Sequence, residues 1–347
     1  MLRLNDRVAV LLHEGIQGTQ GKTGLAFTRV RPDSVVAIID HQCAEQSYQD
    51  LTKIVCQAPI VSSVTEALKH QPTVLLIGIA PSGGVLPDSW FAEVRQAVEA
   101  GLSIVNGLHT PLLPKFQNLQ SNQWIWDIRQ EPPGLQIGTG AARSLTCRRV
   151  LTVGTDMSIG KMSTSLEMHK IAEQRGLRSR FLGTGQAGIM IAGDGIPLDA
   201  VRVDFASGAV EQLVMRYADQ DILHVEGQGS IFNPASTATL PLIRGSQPTH
   251  LVLVHRAGQM SIRNFPQVPI PPLKDVVQVY ESLASAGGAF AAVKVAAIAL
   301  NTAHLEPDAA WRVIALIQEE TQLPCTDPIR FGADLLLDAV LNREMAI

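Results

Sequence analysis

The chain has 347 residues, of which 46% are hydrophobic, 17% charged and 5% aromatic, and its formal net charge is −4. That length suits about two domains with real cores. Acidic and basic residues are interspersed, with no basic tract or aromatic–basic interleaving to favour nucleic acid, and the wealth of glycine and proline suits an α/β protein with tight turns.

The N-terminus, Met-Leu-Arg-Leu-Asn-Asp-Arg, carries charge on both sides of Leu4 and does not read as a signal peptide. Residues 8–12 read as a buried strand. Gly15, Gly18, Gly21, Lys22 and Thr23 follow, a Gly-Lys-Thr that looks like a phosphate-binding loop. Two features count against that reading. Five residues separate Gly15 from Gly21 where the signature has four, and the stretch from Lys22 to the next strand leaves little room for a crossover helix. Residues 35–39 form the second strand, ending in Asp40 and His41. An acid there is where a dinucleotide fold reads a ribose, although no clean Gly-x-Gly-x-x-Gly precedes it. Residues 74–79 are a third strand, leading into Ala-Pro-Ser-Gly-Gly84. The spacing of Phe91, Val94 and Val98 predicts a helix over 87–100, stopped by Gly101, and 103–105 are a fourth strand. Strands alternating with helices imply a parallel, Rossmann-like sheet. Residues 111–145, with Trp124 and Trp126, read as an irregular connector, and the domain boundary is expected near Gly140.

Residues 149–153 read as the strand that opens the second domain. It runs into Gly154, Thr155, Asp156, Met157, Ser158, Ile159, Gly160, Lys161, Met162 and Ser163. A strand aims such a loop, and its glycines let backbone N–H groups turn inward. The lysine adds positive charge and the following helix N-terminus adds its dipole. The loop is a candidate to hold a phosphate-bearing cofactor, but it is a variant. Five residues separate its glycines, and Met162 stands where the signature has Ser or Thr. Methionine cannot serve a hard cation that wants oxygen, so either Ser163 or Thr164 reaches Mg²⁺ or phosphate is bound with little help from metal.

Further on, a short strand at 180–182 runs into Gly183-Thr184-Gly185-Gln186, a second Gly-rich turn and a candidate ligand site. Asp204 sits amid apolar residues at 200–205, and Glu226 follows a clear strand at 221–225. An acid after a strand downstream of a phosphate loop is where such folds hold Mg²⁺, so Ser163, Asp204 and Glu226 are the metal candidates. Strands at 250–255 and 293–300 follow, the latter ending in Asn301, which suits a nucleobase edge or a turn. Helices are expected over 210–217, 274–286, 308–320 and 332–341. The Pro-rich stretch 265–272 is a candidate lid or an arm between copies in a homo-oligomer. Cys43, Cys56, Cys147 and Cys325 show neither metal spacing nor a disulfide framework, and no apolar run reaches membrane-spanning length. A cytoplasmic enzyme with a small-molecule substrate, no nucleic acid and no membrane partner is expected, with a non-catalytic nucleotide sensor as an alternative.

Two resemblances rest on these residues. The run from Gly154 to Lys161 and Val225-Glu226-Gly-Gln-Gly229 resemble the phosphate loop and acid of dethiobiotin synthetase-type ATP-dependent ligases. That resemblance implies Mg²⁺ at Glu226 and adenine at Asn301, with Met162 departing from the family's threonine. The wider match adds the N-terminal Gly-Lys-Thr, Thr-Gly-Gln-x-Gly, the Asp204 segment and Asn-Pro-Ala, and covers nearly the whole chain. It is similar to the D-glutamate N-acetyltransferase-like family. This implies a Rossmann-like domain (1–140), a P-loop NTPase-like domain with a mainly parallel sheet (141–347), and acetyl transfer from acetyl-CoA to a D-amino acid. Coenzyme A carries a pyrophosphate, so the loop suits acetyl-CoA as well as ATP. Glu226, His224 and His255 are candidate catalytic bases, backbone N–H groups of 227–230 candidate oxyanion donors, and Arg244, Arg256 or Arg263 candidate partners for an acidic substrate.

Overall fold

The structure is a computed structural model that describes all residues except 1, 4, 82–84 and 343–347, so the end of the turn at 80–84 lies outside the described residues. The chain divides into two compact units, residues 1–131 with 185–200, and residues 132–184 with 201–347. Passage to the second unit thus falls at Glu131/Pro132, ahead of the boundary expected near Gly140.

The first unit contains β1 (Val8–Leu11), α1 (Lys22–Val30), β2 (Val35–Ile39), α2 (Tyr48–Thr52), β3 (Ile60–Val61), α3 (Val64–Ala67), β4 (Val74–Ile77), α4 (Asp88–Glu99), β5 (Ser103–Asn106) and β6 (Ile125–Asp127). Its sheet has the order β3-β2-β1-β4-β5-β6, and every pairing is parallel. The strand order reverses between β1 and β4, and Rossmann-like folds place their ligands at the carboxyl ends of the strands around such a switch point. Its central strands are unbroken apolar runs because a parallel sheet is covered on both faces.

Two expectations fail in this unit. Residues after Lys22 do form a crossover helix, α1. It fits because Gly24 packs directly on Gly78: a Cβ at Gly24 would lie 3.0 Å from the Gly78 Cα. The Gly24 N–H also donates to the Gly78 carbonyl at 2.8 Å. The supposed connector also supplies a strand, β6, whose Asp127 gathers the Asn106 side chain and the N–H groups of Leu112 and Leu113.

The second unit begins with β7 (Arg148–Gly154), α5 (Lys161–Gln174) and β8 (Ser179–Leu182); the chain then returns to the first unit for α6 (Gln186–Ala192). Resuming, it forms α7 (Val203–Arg216), β9 (Ile222–Val225), α8 (Thr239–Ser246), β10 (His250–Arg256), β11 (Ser261–Ile262), β12 (Phe265–Pro269), α9 (Leu273–Ser285), β13 (Lys294–Asn301), α10 (Pro307–Thr321), β14 (Cys325–Thr326) and α11 (Asp334–Leu341). The main sheet runs β14-β13-β10-β7-β9-β8, all parallel, with β7 central. The strands β11 and β12 form a separate antiparallel hairpin. Beneath the sheet, Val150, Val252, Ala297 and Leu337 share one core with Met168 of α5. Among the described residues no helix is long and apolar enough to cross a membrane.

Candidate functional site

Strand β7 delivers its loop at the carboxyl edge of the second sheet, between β9 and β10. Backbone geometry shows why the loop needs its glycine: Gly160 has φ +121°, and the preceding Ser158 also lies in the left-handed region at +56°. Helix α5 starts at once with Lys161, so its first-turn N–H groups, which have no partner within the helix, open onto the loop.

The loop's side chains divide by direction. Those of Thr155, Asp156 and Ile159 are buried, whereas Met157 and Ser158 are exposed. Ile159 is sunk in the core beside Val150 and Met168. Thr155 shares a 2.9 Å hydrogen bond between its Oγ1 and His255 Nδ1. Asp156 is a tether rather than a ligand group. Its Oδ1 accepts from the Met157 N–H (2.7 Å) and Asn233 Nδ2 (2.8 Å), and its Oδ2 from Gln259 Nε2 (2.7 Å) and the Arg263 N–H (2.7 Å). Burial works to raise its carboxyl, but these donors outweigh it and hold the group below its ordinary value. Phosphate loop and β11–β12 hairpin are thereby pinned to one carboxylate.

Lys161 is buried, and its Nζ donates to the Asp156 carbonyl at 2.6 Å. Burial drives its ammonium down to about 8, partly opposed by the charges of Asp156 and Glu226. Gly154 and Gly227 clear space for its stem: a Cβ on either would come within 3.3 or 3.0 Å of Lys161 Cδ. Glu226 follows β9, the strand next to β7, and is itself buried; its Oε2 accepts from the Thr184 N–H at 2.8 Å. Of the three hydroxyls after Met162, Thr164 is buried and Ser165 bonds Thr152, which leaves Ser163 half-buried.

A cavity of about 470 Å³ adjoins the loop, lined by Asp156, Ser158, Ile159, Arg256, Arg263 and His304. Two of the three arginines proposed to receive an acidic substrate thus stand together. Arg244 lines a different groove, with Asp275 and Gln278 of α9. A third cavity, beside Arg149 and Thr249, opens at the amino-terminal ends of the strands, away from the loop.

A family model described as a domain of unknown function, the DUF1611 P-loop domain, matches residues 136–337. A second, the Rossmann-like DUF1611_N domain, matches 41–131. The chain belongs to the DUF1611 family. A protein named D-glutamate N-acetyltransferase from Tritonibacter scottomollicae is 36% identical over 284 residues, 80% of this chain and 84% of that one. One of the same name from a Pseudoalteromonas species is 34% identical, covering 79% and 83%. The crystal structure of a DUF1611 family protein from Anabaena variabilis is 61% identical, covers 98% of this chain and all of that one, and superposes with a TM-score of 0.93.

In this DUF1611 chain several expected site residues take other positions. His224 lies in the middle of β9, fully buried. Its ring is 6.1 Å from that of His169 on α5, and neither ring nitrogen has a hydrogen-bond partner. Burial, with His169 adding to it, depresses it to about 3, so it is a neutral core imidazole with no bond to the loop. His255 keeps its place at the loop, although burial lowers it to about 4. Asp204 ends no strand: it is exposed in the first turn of α7, where a carboxylate complements the helix dipole. Gly185 and Gln186 open onto α6 and belong to the first unit. Asn301 is occupied, its Nδ2 donating to the Ile159 carbonyl (3.0 Å) and its Oδ1 accepting from the Ala303 N–H (3.2 Å). It braces the phosphate loop rather than presenting a free amide edge.

Three contributors escaped the sequence reading. Tyr280, on α9, donates its hydroxyl to the Gly154 carbonyl at 2.6 Å. Thr152 accepts from the Gly227 N–H at 2.9 Å, docking the segment after Glu226 against β7. Gln259 holds Asp156. Asn233 had a signal, the Asn-Pro-Ala motif; a tyrosine and a threonine at core spacing have none.

Proposed function

We propose that this protein is an acetyl-CoA-dependent N-acetyltransferase acting on a D-amino acid, D-glutamate foremost. The observation that carries the reading is the pair of relatives named D-glutamate N-acetyltransferase, aligned over about four-fifths of the chain. The site's chemistry supports it. Lys161, the loop backbone and the α5 N-terminus suit a pyrophosphate. Arg256 and Arg263 in the adjoining cavity suit the carboxylates of an acidic substrate.

Acetyl-CoA supplies an activated acetyl group as a thioester. In the reaction the substrate amine forms the N–C bond, the C–S bond breaks, and coenzyme A leaves as thiolate. The chain's part is to hold both reactants, to take a proton from the substrate ammonium and to return one to the thiolate. His255 is the base in this reading, oriented by Thr155. The Gly227 and Ser230 N–H groups are given to Thr152 and Ser236, so those of Gln228 and Gly229 are the oxyanion donors in this reading.

One observation favours a second reading, an ATP-dependent ligase or kinase: Glu226, buried beside Lys161 at the end of the strand next to the loop, with Ser163 as the second Mg²⁺ candidate. The two readings part in one experiment. Purified protein is given acetyl-CoA and a panel of D- and L-amino acids, and free thiol is measured; in parallel ATP and Mg²⁺ are added and phosphate release is followed. Thiol release selective for an acidic D-amino acid supports the first reading. Phosphate release without thiol release replaces it with the second. A ligand present at a hundredfold its dissociation constant also stabilises by about 2.7 kcal/mol, so thermal shift separates acetyl-CoA from ATP independently of turnover.

A further inference from the structure

At the carboxyl ends of β1 and β2 in the first unit, three side chains converge: His13, Asp40 and His41, with one ligand atom of each within 4.8 Å of the others. His13 and Asp40 are buried, while the His41 side chain is 44% exposed and opens the group to solvent. The protons are arranged as for a metal centre. His13 Nε2 lies 2.7 Å from Glu93 Oε1, and Glu93 is held in turn by the Val64 N–H at 2.7 Å. The proton of His13 therefore belongs on Nε2, facing the carboxylate, and its Nδ1 presents a lone pair. That Nδ1 stands 3.0 Å from His41 Nδ1. It also accepts a hydrogen bond from the His41 N–H at 3.2 Å, which a metal ligand at Nδ1 would displace.

Asp40 completes the set. Its Oδ1 accepts from the Gln42 N–H at 3.0 Å and more distantly from that of Glu14. Its Oδ2 is buried with no hydrogen-bond partner. The Cys43 thiol lies beside the same carboxylate, but a thiol is too weak a donor to offset burial of a charged oxygen. A carboxylate with one buried oxygen unpartnered, gathered with two imidazoles, is a costly arrangement unless a cation joins them.

We propose that His13, His41 and Asp40 form a site for a divalent transition-metal ion, Zn²⁺ foremost. Two nitrogens 3.0 Å apart, each about 2.05 Å from a shared ion, subtend about 95°, within reach of a tetrahedral centre after small adjustment. Two imidazoles and a carboxylate suit zinc rather than the all-oxygen shells of Mg²⁺ or Ca²⁺. Glu93 is the outer carboxylate that orients a ligating histidine. The Trp90 ring, 5.6 Å from that of His13, packs beside the buried imidazole. Three protein donors leave a fourth position for water or an anionic ligand, as in zinc sites that do chemistry rather than hold a fold. The acid that Rossmann-like units use to read a ribose is here followed by a histidine, so the same strand end has the donors for a metal.

The test uses the full-length protein, stripped with a chelator and titrated with Zn²⁺ by calorimetry, and with Co²⁺ while visible absorption is recorded. One equivalent should bind, and the Co²⁺ complex should show the absorption of a four- or five-coordinate ion. Glu93→Gln should weaken affinity 10- to 100-fold, and His41→Ala or Asp40→Asn by at least that much. Exposed His109→Ala should leave it unchanged. Circular dichroism of each stripped variant checks folding, and the wild-type Co²⁺ spectrum tests the site without any variant. Absence of stoichiometric binding, a spectrum of an octahedral aquo-type ion, or equal affinity in folded His41→Ala and Asp40→Asn overturns the proposal.

Discussion

Replacing Asp156 with asparagine should separate a phosphate loop that stands by itself from one held by its surroundings. The carboxylate accepts four hydrogen bonds, two on each oxygen. Asparagine keeps one accepting oxygen and turns an NH₂ group toward the other two donors. Hydrogen bonds to a charged acceptor contribute about 1.5–3 kcal/mol each. Two are lost, and Gln259, half-buried, recovers part of the loss by turning to water, so the cost should be about 3–5 kcal/mol. For a unit of roughly 200 residues that lowers the melting temperature by about 6–20 °C. Hydrogen exchange should quicken at the Arg263 amide, which shares with Gln259 the oxygen that is replaced, and the β11–β12 hairpin should loosen from the loop. Because the folded carboxyl lies below its ordinary value, its stabilisation is complete above about pH 4 and is lost as pH falls through the folded value. The variant should lack that acid-side loss. Asp204→Asn, in an exposed helix turn, is the control and should cost under about 1 kcal/mol. An Asp156→Asn protein that melts within about 2 °C of wild type, with unchanged exchange at Arg263, would refute the tether.

Lys161→Ala should abolish binding of acetyl-CoA or ATP in calorimetry while the fold persists. In the wild type, affinity should decline as pH rises through about 8, where the buried ammonium loses its proton; an affinity flat between pH 7 and 9 would contradict the assigned charge. His255→Ala should lower kcat about 10²- to 10⁴-fold with little change in KM, and in the wild type the acid limb of kcat/KM should fall at about pH 4, since the base works only unprotonated. A full-activity His255→Ala enzyme would remove His255 from the mechanism. Gly227→Ala should destabilise by at least about 3 kcal/mol, because its Cβ would lie 1.8 Å from the Thr152 carbonyl oxygen; a variant that unfolds like wild type would show that this close approach is absent in solution.

The buried strands were legible because parallel sheets demand continuous apolar runs, and β1, β2, β7, β9, β10 and β13 announce themselves that way. Strand β6 did not, since Ile125-Trp126-Asp127 lies among polar and proline residues and owes its place to pairing with β5. Helix α1 was obscured by its own brevity, nine residues ended by Arg31-Pro32. The membership of α6 in the first unit is a tertiary choice that chain order conceals. At the site, the phosphate loop could be read from spacing alone, but the work of its side chains could not. Asp156 looks like a ligand group until its partners 77, 103 and 107 residues away are in view. Asn301 looks like a base reader until its amide is found bonded to the loop it was expected to assist.

That inward turn of side chains bears on selectivity. Thr155, Asp156 and Ile159 all serve the protein, so what the loop offers a ligand is backbone N–H groups, the α5 dipole and the Lys161 ammonium. These recognise a phosphate anion and discriminate poorly between the molecules that carry it. With Asn301 engaged, the described site shows no committed reader of adenine at that position. On the readings proposed above, discrimination between acetyl-CoA and ATP would come from outside the loop, from Glu226 and Ser163 if a metal–triphosphate is held, or from the arginine-bearing cavity if an acidic acceptor must sit beside a thioester. Substitution of Arg256 and Arg263 should then impair use of the acidic amino acid while leaving acetyl-CoA affinity nearly intact. Equal loss of both in calorimetry would assign the arginines to the phosphates instead.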